Sequence, residues 1–573
     1  MLKPALLGSA TAVLLMACSG QNSETGKTPS IKPESQLQID TPSIITCYSG
    51  GSIYTAIDDN PMIEAVKVKD GKIVFAGSPT GNWCEDGQNV NLNGAAMFPG
   101  FTDAHGHFIG IGLREMTLNL EGTASIEEVK SRVAVALGDL EKGETLYGRG
   151  WIETHWPEGR FPNRNDLDEI SPDNPVILER ADGHAVVVNS KALEMARITA
   201  QTEAPFGGDI LKDDAGEPTG MLIDKADGLV RDLMPKDSEA RTREAMKKAS
   251  DLYASRGWTN IHSMSFAPTA VSLIQEEANA GNVNIRVYAS TDISGGFETK
   301  EFTANPKNEN LITRRSIKLY SDGALGSRGA ALLAPYEDDP DNIGLMLTTY
   351  DDIMPVLKTA LRDGVQVNTH AIGDKANQLV LNWYEEAMDA VPEAERAVKE
   401  PRWRIEHSQI LALEDIPRFS ELGVIPSMQP SHAIGDLHFA IDRLGPDRLA
   451  GGYAWRSLID SGAIIAGGSD APVEVGDPRI EFYAAVYRKD LKGYSNEAWY
   501  DKEKVTRQEA LKMFTIWPAF AAFEDDRLGT IEVGKAADFT VFDRDIMTVP
   551  DPEILEAQTV MTIVNGKVVY KAD

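Results

Sequence analysis

Pro99-Gly-Phe-Thr-Asp-Ala-His105-Gly-His107-Phe108 carries an apolar segment into two imidazoles separated by one glycine. In extended backbone, residues i and i+2 project from the same face, so His105 and His107 can reach one cation while Gly106 keeps the turn open. One His-x-His is a weak signal, but the pattern recurs. Val365-Gln-Val-Asn-Thr-His370 and Trp403-Arg-Ile-Glu-His407 each end in an imidazole. Ala463-Ile-Ile-Ala-Gly-Gly-Ser-Asp470 ends in a carboxylate, and Lys318 lies near the end of Arg315-Ser-Ile-Lys-Leu-Tyr320. Each polar group comes as an apolar strand stops.

Strands of this kind alternate with helical patterns such as Asn377 to Met388 and Arg507 to Phe514. Alternating β and α segments argue for parallel βα units. Eight strands are expected: Ala96–Pro99, Asn260–His262, Asn284–Tyr288, Ser316–Tyr320, Val365–Thr369, Trp403–Glu406, Val424–Ser427 and Ala463–Gly467. A (β/α)8 barrel is their natural closure, and its strand ends converge on one face where catalytic residues sit. Four imidazoles and a carboxylate meeting there suit Zn²⁺ or a similar divalent first-row cation. The stretch between the first two strands is too long for one crossover, so residues about 140–240 are expected to form an inserted subdomain over the barrel mouth.

Both ends of the chain read as β. Asp70-Gly71 joins Glu64–Lys69 to Lys72–Ala76, and Asn565-Gly566 joins Val560–Val564 to Lys567–Tyr570. Both dipeptides are strong type I′ hairpin signals. Residues 41–97 and 525–573 are therefore expected to build one small β-sandwich beside a barrel of 98–524.

These motifs, with Arg180-Ala-Asp-Gly-His184, Asn189-Ser-Lys-Ala-Leu193, Gly216-Glu-Pro-Thr-Gly220, Lys318-Leu-Tyr-Ser-Asp-Gly-Ala-Leu-Gly-Ser-Arg328, Gly468-Ser-Asp-Ala-Pro472 and Gly529-Thr-Ile-Glu-Val-Gly-Lys-Ala-Ala-Asp538, resemble the amidohydrolase superfamily. The resemblance is to the family 3 branch that includes N-substituted formamide deformylases, and it covers nearly the whole chain after residue 40. It implies the barrel with a β-sandwich, and a metal-dependent hydrolase of a non-peptide C–N bond in an N-acyl or N-formyl amine. Carried over by position, His105, His107 and Asp470 would hold one ion, and His370 and His407 a second. Lys318 would bridge them if carbamylated; unmodified, it would bind an anion and leave one ion. Zinc is the first expectation, as one or two ions. A metal-activated hydroxide would attack the carbonyl, with Asp470 moving the proton and His407 and Lys318 acting beside it.

Asp182, His184 and Trp151 in the insertion, with Asp322 and Arg328, are candidate substrate contacts; for Asp182 and His184 a structural network is the alternative. Trp156 and Arg160 could wall the pocket. Glu406, Asp322 and Arg328 lie beside site motifs and could orient ligands. His262 could line the pocket, His432 and His438 could touch substrate, and His155 reads as a surface residue.

The first residues are an address. Lys3 precedes the apolar run Ala5 to Ala17, too short for a comfortable membrane span, and Leu15-Met-Ala-Cys18 resembles a lipobox. Residues 1–18 then form a lipoprotein signal ending at Cys18, with a plain secretory signal as the alternative. Residues 19–40, rich in Ser, Gln, Thr, Pro and Lys, form a tether. Ser19 after the Cys favours the outer membrane, facing the periplasm. In that oxidising compartment Cys47 and Cys84 could pair, or remain two buried thiols.

Of 573 residues, 56 are Lys or Arg and 87 are Asp or Glu, a formal charge of −31. An acidic chain repels phosphate backbones, which excludes nucleic acid as a partner. A hydrophobic share of 42% and a charged share of 25% exclude a disordered chain or a multi-span membrane protein. The expected partner is a small-molecule substrate, with a homodimer as the base-rate assembly. The same site would also serve an ester, lactone or phosphoester hydrolase, or a deaminase. A non-catalytic, metal- or ligand-binding surface lipoprotein is the alternative of another class.

Overall fold

Eight parallel strands form the barrel. They are β1 Phe101–Gly106, β2 Trp258–Phe266, β3 Arg286–Asp292 and β4 Ile312–Tyr320, then β5 Gln366–Ala371, β6 Arg404–His407, β7 Ile425–Met428 and β8 Ala466–Gly467. Each is hydrogen-bonded to the next in that order. The computed structural model describes residues 45–573 apart from 121, 139, 152, 154–155, 181–184, 206–207, 237, 294–310 and 492–498. Cys18, the tether 19–40, His155, Asp182 and His184 lie outside the described residues.

The seam between β8 and β1 is closed by side chains as well as backbone. Ser469 and Asp470 donate their N–H groups to the His105 carbonyl at 3.2 and 2.6 Å. Asp103 accepts from Ser469 N at 2.9 Å, Ser469 Oγ at 2.6 Å and Tyr253 Oη at 2.9 Å. Burial pushes the Asp103 carboxyl up to about 6 against the pull of these donors. A Cβ on Gly468 would run into the His105 backbone, so this seam takes only glycine there.

The first barrel strand differs from the sequence expectation. Ala96–Pro99 belongs to the terminal sheet, where it pairs with Phe539–Phe542, and Gly100 separates it from β1. His105 therefore lies inside β1 rather than after it, and His107 caps the helix Phe108–Glu115. Two buried apolar segments abut here with a single glycine between them, so periodicity alone does not divide them.

The terminal segments form one eight-stranded sheet, compatible with the expected β-sandwich. Its hairpins are as the sequence predicts: φ is +50° and +76° at Asp70 and Gly71, and +50° and +70° at Asn565 and Gly566. Tyr48, Ile53, Val66, Met97, Phe539 and Ile563 make its core. Cys47 and Cys84 form a disulfide within it. The sheet is tied to the barrel through Arg286 of β3, whose Nε and Nη2 donate to Asp538 at 2.6 and 3.1 Å.

The insertion has a six-stranded sheet of its own that runs from Leu118–Asn119 to Pro218–Asp224. It thus starts earlier than the expected residue of about 140. The opening strand has only two residues, too few to give a periodic signal.

Candidate metal centre

β1, β4, β5, β6 and the segments after β7 and β8 bring His105, His107, Lys318, His370, His407, His432 and Asp470 together at one end of the barrel. Packing fixes the proton on several of these imidazoles. His105 is fully buried, and its Nδ1 lies 2.5 Å from Glu406 Oε2. His107 Nδ1 lies 3.2 Å from the Met264 carbonyl. With the proton on Nδ1, each Nε2 can present a lone pair to a cation. These point at one atom: Asp470 Oδ1 is 3.5 Å from His105 Nε2 and 3.0 Å from His107 Nε2.

The carboxylate is ionised. Burial alone would raise it, but the imidazoles of His105, His107, His407 and His432 outweigh burial and hold it well below the usual carboxylate range. Burial, helped by Lys318, pushes His105 down to about 4 and His370 down to about 3. Burial and neighbouring imidazoles push His407 well down too. His105, His370 and His407 are thus held toward the neutral form, the protonation state that a metal-binding imidazole requires. Lone pairs aimed at a carboxylate repel unless a cation stands among them, so the donors fit a divalent first-row ion. His105, His107 and Asp470 offer ligand atoms within 4.8 Å of one another, as do His407, His432 and Asp470.

A buried network holds the first imidazole from below. Arg404 is fully buried and pairs with Glu406, Nε to Oε1 at 2.7 Å and Nη2 to Oε2 at 2.9 Å. It also donates to His262 Nδ1 at 2.9 Å and to the Ala104 carbonyl at 2.6 Å. Burial would raise Glu406, but Arg404 and His105 hold it well below its ordinary value. His262 is therefore part of this interior network and fully buried. Arg404 was not singled out from sequence, although Arg404-Ile-Glu406 in a strand puts both charges on one face.

Lys318 is buried, with Nζ 3.5 Å from His105 Nε2, and burial lowers it to about 8. The His370 ring lies 4.5 Å from that of His407, and its Nε2 is 3.6 Å from Asp322 Oδ1. Backbone is held in the left-handed region at His407, φ +74°, and Asp470, φ +59°. Such strain costs of order 1–3 kcal/mol per residue and collects at functional sites.

Three expected substrate contacts are engaged with groups of the protein itself. Trp151 is fully buried in the core of the insertion and donates Nε1 to the Leu178 carbonyl at 2.9 Å. Asp322 is buried and accepts from Ala331, Ile372 and Gly373 N–H groups at 2.8–3.0 Å, clamping two loops together. Arg328 donates to both oxygens of Asp338 at 3.1 and 2.8 Å. Trp156 is buried with its indole on the Thr123 carbonyl, and Arg160 pairs with Asp166. His438 is exposed. Gln429 was missed: its Nε2 donates to the Ser427 carbonyl at 3.3 Å, and its Oε1 takes the His407 Nδ1–H at 2.8 Å.

A family model described as Amidohydrolase family matches residues 88–570. The protein YtcJ of Bacillus subtilis (strain 168) is 32% identical over 91% of this chain and 99% of its own length. N-substituted formamide deformylase of Arthrobacter pascens is 27% identical over 89% of this chain and 96% of its own. The crystal structure of an uncharacterized metal-dependent hydrolase from Pyrococcus horikoshii OT3 matches with a TM-score of 0.70 and 25% identity. It covers 89% of this chain and 99% of that one.

Proposed function

This chain belongs to the amidohydrolase family and is a metal-dependent hydrolase, and we propose that it cuts a non-peptide C–N bond, releasing an amine from an N-acyl or N-formyl substrate. The observation that carries the reading is the pair of Nε2 atoms on His105 and His107 converging on Asp470 Oδ1 at 3.5 and 3.0 Å. His105, His107 and Asp470 would hold the cation, with zinc the first expectation from the N/O donor set. A divalent ion in such a site supplies Lewis acidity to a carbonyl and lowers the pKa of water toward about 7.

The chain's own groups do the rest. Asp470 takes a proton from the attacking water at a carboxylate oxygen and returns it to the departing nitrogen, which must leave as a neutral amine. Glu406 keeps the proton of His105 on Nδ1, so its Nε2 stays a donor of electrons through the cycle. Lys318 places an amine beside the same Nε2. The likeness to an N-substituted formamide deformylase supports the bond type. The test is turnover of N-substituted formamides and the matching formate esters by the zinc-loaded protein. Amine release that a chelator stops and zinc restores is expected; faster ester cleavage would overturn the bond type, and no turnover of either would overturn the reading.

The same reading places the protein outside the cytoplasm, anchored through Cys18. The lipobox-like segment and the Cys47–Cys84 disulfide support it. Cys18→Ser should then move the protein from the membrane fraction to the soluble one.

A further inference from the structure

The first pair of imidazoles engages only one oxygen of Asp470. Its Oδ2 faces His432 Nε2 at 3.6 Å. That nitrogen is buried and has no hydrogen-bond partner. The His432 ring stacks on His407 at 5.8 Å and 17°. Gln429 fixes the His407 proton on Nδ1, and its own orientation is set by the Ser427 carbonyl, so His407 Nε2 is bare as well. Glu474 adds a carboxylate 3.9 Å from His432 Nε2. Two free imidazole nitrogens and an ionised carboxylate within 4.8 Å repeat the chemistry of the first cluster around the same side chain.

We propose that His407, His432 and Asp470 form a second divalent-cation site, with the Asp470 carboxylate shared between the two sites. His432, carried after β7 on the helix Pro430–Asp436, is then a metal ligand. His370 also has a buried Nε2 without a hydrogen-bond partner, 3.6 Å from Asp322 Oδ1, but it joins neither cluster of converging ligand atoms. A carbamate on Lys318 would instead draw the second ion toward His370, and the two arrangements make opposite predictions. The proposal rests on the metal-dependent reading of the first site.

The test is metal uptake by the full chain, stripped with a chelator and titrated with zinc or cobalt salts alone, with stoichiometry, affinity and the visible spectrum of the cobalt form as readouts. Wild type is expected to bind two ions. His432→Ala should bind one, or the second at least about tenfold more weakly, with a changed cobalt spectrum. His370→Ala should keep both. One ion in wild type, an unchanged cobalt form of His432→Ala, or loss of the second ion in His370→Ala alone would each overturn the proposal. No ion in wild type would overturn the first site too, which separates the failures. His432→Gln gives the same readout should the alanine variant not fold.

Discussion

His105 and Glu406 meet through a 2.5 Å contact between Nδ1 and Oε2 that lies wholly inside the barrel, and this contact decides which ring nitrogen reaches the site. Behind it stands Arg404, so the imidazole, the carboxylate and the guanidinium form one line from the barrel interior to the metal centre.

Glu406→Gln keeps the shape but removes the charge that Arg404 and His105 share. A buried ion left without its partner costs about 3–5 kcal/mol, and loss of a carboxylate behind a metal-binding imidazole costs about 10–100-fold in affinity. Urea denaturation and zinc competition with a chromophoric chelator measure the two separately. Wild-type zinc affinity in this variant would show that the ring is oriented by other contacts.

Asp470→Asn should fold and fail. Its backbone is left-handed, φ +59°, a region that asparagine tolerates well. The thermal midpoint should stay near wild type while turnover at saturating zinc falls about 10²–10⁴-fold, the range of a lost acid–base group. Asp470→Ala should lose as much turnover and also about 1–2 kcal/mol of stability from the strained backbone.

Glu481 makes stability depend on pH. It is fully buried, with Oε2 taking the Ser431 N–H at 3.0 Å and Oε1 without a partner. Burial pushes its carboxyl well above the ordinary value. The folded chain therefore keeps a proton that the unfolded chain releases, so this residue lowers stability as pH rises above the ordinary glutamate pKa. Glu481→Gln should match wild type near pH 4 and exceed it at neutral pH, as read by denaturant midpoints across that range. Equal midpoints at neutral pH would mean the carboxyl is ionised in the folded chain.

Trp151→Phe tests the reassignment of that residue to packing. Losing the indole donor removes its hydrogen bond to the Leu178 carbonyl inside the insertion, at about 0.5–1.5 kcal/mol. Stability should fall by that amount while KM and kcat hold. A raised KM at unchanged stability would return Trp151 to the substrate pocket.

Much of the site was legible because barrel strands are apolar until they reach the active face, and a lone polar group at a strand end stands out. His370, His407 and Asp470, each read from a strand end, are brought to one end of the barrel. The hairpins were legible because Asp70-Gly71 and Asn565-Gly566 take positive φ at both positions. What stayed hidden has specific causes. His432 reads from sequence only as a candidate substrate contact, because it sits on a short helix with no strand end to mark it. Gln429 matters because the Ser427 carbonyl, 3.3 Å away, fixes its amide. The division between Ala96–Pro99 and β1 depends on which partner each strand finds, and for the first that partner lies at the far end of the chain.

That last pairing governs the order in which the molecule can be made. Ala96–Pro99 docks on Phe539–Phe542, which in turn docks on Thr559–Val564. A nascent chain emerges N-terminal part first. Its opening strands must therefore wait, with one edge bare, while the insertion and barrel are synthesised behind them. Contacts this distant in sequence are also slow to form. The protein is consequently most open to misassembly between the birth of its first strand and the release of its last, and a chain truncated before Phe539 would never leave that state.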